Sequence, residues 1–82
     1  MSEEALLVLA EVTQTLSQMY DCDITTSIDE TRLYITFNSE FPKTLNIGIE
    51  GFEMCAKIGA DPLIKAYAQV YDNHLYNIAT GT

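Results

Sequence analysis

Residues 23–49 read DITTSIDETRLYITFNSEFPKTLNIGI, and this stretch decides the fold. Ile24, Thr26 and Ile28 alternate with Thr25 and Ser27. Leu33, Ile35 and Phe37 alternate with Arg32, Tyr34, Thr36 and Asn38, and Leu45, Ile47 and Ile49 with Thr44, Asn46 and Gly48. A period of two belongs to strands, because successive side chains leave on opposite faces. Asp29, Glu30 and Thr31 supply a tight turn, and residues 39–43 a longer connection. Three short alternating runs joined this closely predict an antiparallel meander with one buried face. The other face, with Thr25, Ser27, Tyr34, Thr36, Thr44 and Asn46, is polar and almost uncharged. Residues 23–28 form an edge strand able to pair with another chain.

Outside this stretch the period changes to 3.6. Ser2 can cap a helix whose first turn holds Glu3 and Glu4, where the helix dipole favours acids. Ala5, Leu9, Val12, Leu16 and Met19 form its apolar stripe, and Glu11, Gln14 and Gln18 its wet side. The first two turns are apolar nearly all round, which leaves Leu7 or Val8 without cover from a single buried face. A second contact, from another copy or from the C-terminal helix, would cover them. Gly51 breaks the third strand, and residues 52–58 have room for a short helix ended by Gly59. Asp61 followed by Pro62 reads as N-cap and first helical residue of a last helix. Its stripe is Ile64, Tyr67, Ala68, Tyr71, Leu75 and Ile78, with Tyr hydroxyls outward and residues 79–82 frayed. The expectation is an α+β fold in one small domain, 1–82: N-terminal helix, three-stranded antiparallel meander, short helix, long C-terminal helix.

The chain has 82 residues, 48% of them hydrophobic and 20% charged, which argues against intrinsic disorder. Twelve acids against four Lys and Arg give a net charge of −8. The charge is unevenly placed. Residues 1–41 carry Glu3, Glu4, Glu11, Asp21, Asp23, Asp29, Glu30 and Glu40 against Arg32 alone, whereas residues 42–82 carry four acids against three lysines. Such a field repels nucleic acid and anionic lipid and favours a protein with a basic surface. The plainer reading is that the acids keep a small domain soluble. No apolar run approaches a membrane span, and the acidic opening does not read as an export signal. A cytoplasmic protein with reduced Cys22 and Cys55 is therefore expected.

No residue set reads as catalytic. His74 is the single histidine, one position off the last helix's stripe, and neither Cys22 nor Cys55 has a nucleophile's context. Asp21 and Asp23 could offer hard oxygen ligands, but the spacing of a calcium loop is absent and zinc would need more Cys and His. Gly48 and Gly51 fit no phosphate loop. The expectation is no enzyme, no metal and no cofactor. The acids form the candidate partner-binding surface: Asp21, Asp23 and Glu40 at one end of the hairpin, Asp29 and Glu30 at its tip, and Glu3, Glu4 and Glu11 on the first helix. Tyr34, outward among Thr and Asn, is a candidate anchor, and Leu7 and Val8 are candidates for self-association.

In size, charge and element order across residues 1–80, the chain resembles small acidic phage proteins that block host defences, of the anti-CRISPR and anti-restriction kinds. The resemblance implies an inhibitor in the host cytoplasm whose partner is a CRISPR-Cas or restriction component. Strong DNA mimics of that kind are more acidic, whereas residues 42–82 here are nearly neutral. The stretches 6–20, 24–28, 33–37 and 45–49 also look like the start of an acidic type III secretion chaperone. That resemblance implies a homodimer binding an extended polypeptide, although such chaperones are longer and carry further strands.

Overall fold

The computed structural model describes residues 1–81. Leu33, Ile35 and Phe37 have no exposure, and the rest of the molecule is arranged around them. They lie on the central strand β2 (Arg32–Asn38), between β1 (Asp23–Ile28) and β3 (Lys43–Gly48), in an antiparallel sheet of order β1-β2-β3. The register aligns Ile28, Leu33 and Ile47, then Thr26, Ile35 and Leu45, on one face. On that face pack α1 (Glu3–Tyr20), α2 (Ile49–Ala56) and α3 (Ala60–Thr80). Their buried residues are Ala5, Leu9, Val12 and Leu16 of α1, Phe52 and Ala56 of α2, and Ala60, Leu63, Tyr67, Ala68 and Tyr71 of α3. The element order is the one the alternation predicts, and the fold is α+β.

The element ends differ, for local reasons. Ser2 Oγ accepts the Ala5 N–H at 3.1 Å and caps α1 as expected. Ile49 is not the end of β3 but the first residue of α2, with Gly48 as its N-cap. Gly51 sits inside that helix, where a Cβ would meet the Ile47 side chain at 3.7 Å. The short helix therefore spans Ile49–Ala56 rather than 52–58. Gly59, with φ of 131°, both follows α2 and caps α3, so Asp61 and Pro62 are the second and third helical residues instead of N-cap and first. Pro is tolerated there because the first four N–H groups of a helix have no internal acceptor. The fraying expected at 79–82 is absent through Thr80, whose Oγ1 bonds the Tyr76 carbonyl at 2.9 Å; Thr82 lies outside the described residues.

Three expectations about burial are corrected. Met19 and Ile78, assigned to apolar stripes, are 53% and 41% exposed. A 21-residue helix is about 31 Å long, whereas strands of six or seven residues span about 20 Å, so α3 runs past the core it packs on. The inner face of β1 is not buried, because the helices cover β2 and leave Thr26 and Ile28 exposed. The Tyr67 and Tyr71 hydroxyls do not point outward: Tyr67 Oη is buried without a partner, and Tyr71 Oη donates to the Phe41 carbonyl at 3.0 Å and bonds Ser39 Oγ.

Candidate functional site

The acid-rich first half of the chain forms α1 and β1 with their connections. β1 is an edge strand, and α1 packs beside it. Together with their connections they carry Glu3, Glu4, Glu11, Asp21, Asp23, Asp29 and Glu30, all exposed, and no Lys or Arg occurs among residues 1–31. Lys43 begins β3, Lys57 follows α2 and Lys65 lies on α3. Arg32, on β2, turns its Nε–H to Asn46 Oδ1 at 2.7 Å on the sheet's open face.

Around β1 the acids fall at its two ends. Asp21 and Asp23 stand with Glu40 at one end, because Asp23 pairs with Asn38 and a hollow of about 450 Å³ is lined by Asp21, Cys22, Ser39, Glu40 and Tyr71. Asp29 and Glu30 stand at the other, where Glu30 and Glu50 line a second hollow with Thr31 and Ile49. Six residues at about 3.3 Å each separate Asp23 from Asp29 by about 20 Å. Glu3, Glu4 and Glu11 occupy α1.

These acids are not chemically equal. Asp29 Oδ1 accepts the N–H groups of Thr31 and Arg32 at 3.0 and 2.8 Å, and Oδ2 accepts the Tyr34 hydroxyl at 2.8 Å. The Tyr34 bond, then the two backbone bonds, hold its carboxyl below the usual range. Asp29 therefore builds the β1–β2 turn, and Tyr34, the candidate anchor, is half-buried and tied to it. The signal was present in the sequence, since an acid three residues before a strand can cap a turn through its own side chain. Asp72 of α3 accepts the Tyr20 hydroxyl at 2.7 Å and ties the end of α1 to α3. Asp21 occupies the left-handed C-cap of α1 at φ 49°. Of the self-association candidates, Val8 is half-buried against the core of its own chain, whereas Leu7 is 68% exposed.

Cys22 and Cys55 are free thiols. Burial first, then Asp23 and Asp21, push the Cys22 thiol up, which lowers its thiolate fraction near neutrality. His74 is half-buried beside Tyr71, its Nε2 enclosed without a partner. Among the described residues no three His, Cys, Asp or Glu side chains are grouped to hold a metal ion, and no helix is long and apolar enough to cross a membrane.

The chain matches no family model, no curated protein and no solved structure.

Proposed function

We propose that this chain is an acidic interaction protein that binds and blocks a basic, nucleic-acid-handling protein, and that it is not a catalyst. The observation that carries the reading is that α1, β1 and their connections, residues 1–31, hold seven exposed acids and no Lys or Arg. Carboxylates held on a helix and a strand cost little ordering when they meet a basic surface, and their summed field steers such a partner. Two acidic groups about 20 Å apart, with uncharged residues between them, suit a protein surface with separated basic patches better than a continuous DNA-binding groove. The partner class, by resemblance, is a CRISPR-Cas or restriction component met in a bacterial cytoplasm, with the chain acting as a phage-type inhibitor.

Capture from bacterial lysate by the tagged chain, eluted in a salt gradient and identified by mass spectrometry, tests this. A basic nuclease or other nucleic-acid-binding protein is expected, released between about 0.2 and 1 M salt as screening shortens. A variant carrying Glu11→Lys, Asp23→Lys and Glu30→Lys should capture none of it; equal capture by that variant removes the acids from the account.

One observation favours the chaperone-like reading instead: Leu6 and Leu7 at the start of α1 are 48% and 68% exposed. It requires a dimer whose contacts resist salt. A monomeric mass by sedimentation at 1 M salt dismisses it.

A further inference from the structure

The outer edge of β1 is left open by every other element. In an antiparallel pair, residues alternate between those whose N–H and C=O face the neighbouring strand and those whose groups face away. The Asp29 N–H donates to the Arg32 carbonyl at 3.0 Å, and this sets the phase. With Ser27 opposite Tyr34 and Thr25 opposite Thr36, the odd-numbered residues of β1 bond β2. Ile24, Thr26 and Ile28 therefore turn three N–H donors and three carbonyl acceptors away from the sheet. Cys22 shows where the row begins. Its N–H reaches the Ser17 carbonyl at 3.3 Å and its carbonyl accepts the Ser17 hydroxyl at 2.7 Å, so α1 satisfies that residue and no later one.

Exposed strand edges are commonly blunted by a bulge, a proline or an inward-pointing lysine. β1 has none of these: six consecutive pairs run without interruption, and residues 23–28 contain no Pro or Lys. What it has is acid at both ends, Asp21 just before it and Asp23 as its first residue, and Asp29 and Glu30 after it. The other edge of the sheet is shorter. On β3 the outward residues are Thr44 and Asn46, between Pro42, which has no N–H, and Gly48, which caps α2.

We propose that the open edge of β1 takes a strand from the partner, an extended segment of about six residues with Lys or Arg at both ends. The occupant's charge rests on the reading of the partner as basic. Its backbone would complete the ladder at Ile24, Thr26 and Ile28, and its alternate side chains would extend the inner face beyond Ile28, which is 50% exposed. A second copy is the poorer occupant. Antiparallel self-pairing that uses all three free residues centres on Thr26 and sets Asp23 of one copy opposite Asp29 of the other, twice over; parallel self-pairing sets each acid beside itself. Like charges directly opposite one another destabilise a pair of strands, and basic ends reverse that sign.

The test uses the full chain, labelled with 15N, and the peptide Lys-Arg-Thr-Val-Thr-Val-Arg-Lys. Saturable shifts and slowed exchange are expected at the amides of Ile24, Thr26 and Ile28. The same peptide N-methylated at alternate amides keeps its charge but cannot complete the ladder, and should bind at least about tenfold more weakly. Thr26→Pro removes the central outward donor and no β1–β2 bond, a position an edge strand tolerates, and should weaken binding similarly. If Thr26→Pro fails to fold, the N-methylated peptide carries the comparison alone. Equal binding of the N-methylated peptide, with no protection at the edge, overturns the strand site and leaves the acidic surface standing. Equal binding of a Glu-ended peptide overturns both. No binding of the basic peptide at about 1 mM overturns the strand site alone, because the wider reading is judged by lysate capture. Protection of the edge amides that rises with protein concentration, peptide absent, overturns it in favour of a second copy.

Discussion

Tyr67 and Tyr71 lie one turn apart on α3, and replacement by Phe is expected to destabilise the fold at Tyr71 but not at Tyr67. Both rings are buried, 7% and 1% exposed. Tyr71 stacks on Phe37 with ring centres 4.0 Å apart, and its hydroxyl reaches Phe41 and Ser39 in the β2–β3 connection. Tyr71→Phe removes one or two hydrogen bonds worth about 1 kcal/mol each, partly replaced by water because Phe41 is exposed; a loss of about 1–2 kcal/mol follows. Tyr67 carries the opposite case, since its hydroxyl is enclosed and unpartnered. An unsatisfied buried group costs about 1–3 kcal/mol, so Tyr67→Phe should be neutral or stabilise by about 1 kcal/mol once the small void is allowed for. Urea unfolding followed by circular dichroism measures both, with an unchanged slope required for the comparison. In a domain of this size about 1 kcal/mol corresponds to about 4–8 °C in Tm. Tyr67→Phe losing more than about 1 kcal/mol, or Tyr71→Phe losing nothing, would refute the assignment of one bonded and one orphan hydroxyl.

Burial pushes the Tyr67 hydroxyl from 10.0 up to about 12. The fold thus favours the neutral phenol, so its contribution is full below pH 10.0 and is lost as pH rises to about 12. Unfolding free energy measured across that window should fall, and should fall less in Tyr67→Phe. Asp29 has the reverse sign: its carboxyl is held low, so its support of the turn is present at neutral pH and disappears only as pH falls through the lowered value. Carboxyl NMR should place Asp29 below the usual aspartate range, and Tyr34→Phe should move it back toward that range. Among charge reversals, Asp23→Lys and Glu30→Lys should each change stability by no more than about 0.5 kcal/mol. Asp29→Lys should lower Tm well beyond either, because it strips three hydrogen bonds from the turn.

The sheet was legible because its signal is local. In residues 24–28, 33–37 and 45–47 the period of two needs no knowledge of distant contacts. Ile49 misled because Gly48 and Gly51 flank it, and nothing short of the N-cap conformation at Gly48 distinguishes a strand end from a helix start. Alternation also names a face without saying what covers it, which is why Thr26 and Ile28 looked buried and are not. The Tyr71 hydroxyl meets Ser39 across 32 positions of sequence, a distance no periodicity spans. At the candidate site, the acid count and its bias to the first half could be read directly. That Asp29 is committed to its own turn could have been, from the Asp-x-x-Arg spacing that places Arg32 N–H within reach. The outward row at Ile24, Thr26 and Ile28 could not, because its phase depends on the Asp29–Arg32 bond.

We place the partner against α1 and β1. Zero-length carbodiimide cross-linking of the captured complex addresses this placement directly, since it joins a carboxylate to a partner lysine only where the two touch. Peptide mapping by mass spectrometry should find the links at Glu11, Asp23 and Glu30. Links confined to Glu53, Asp61 and Asp72, on α2 and α3, would contradict the account.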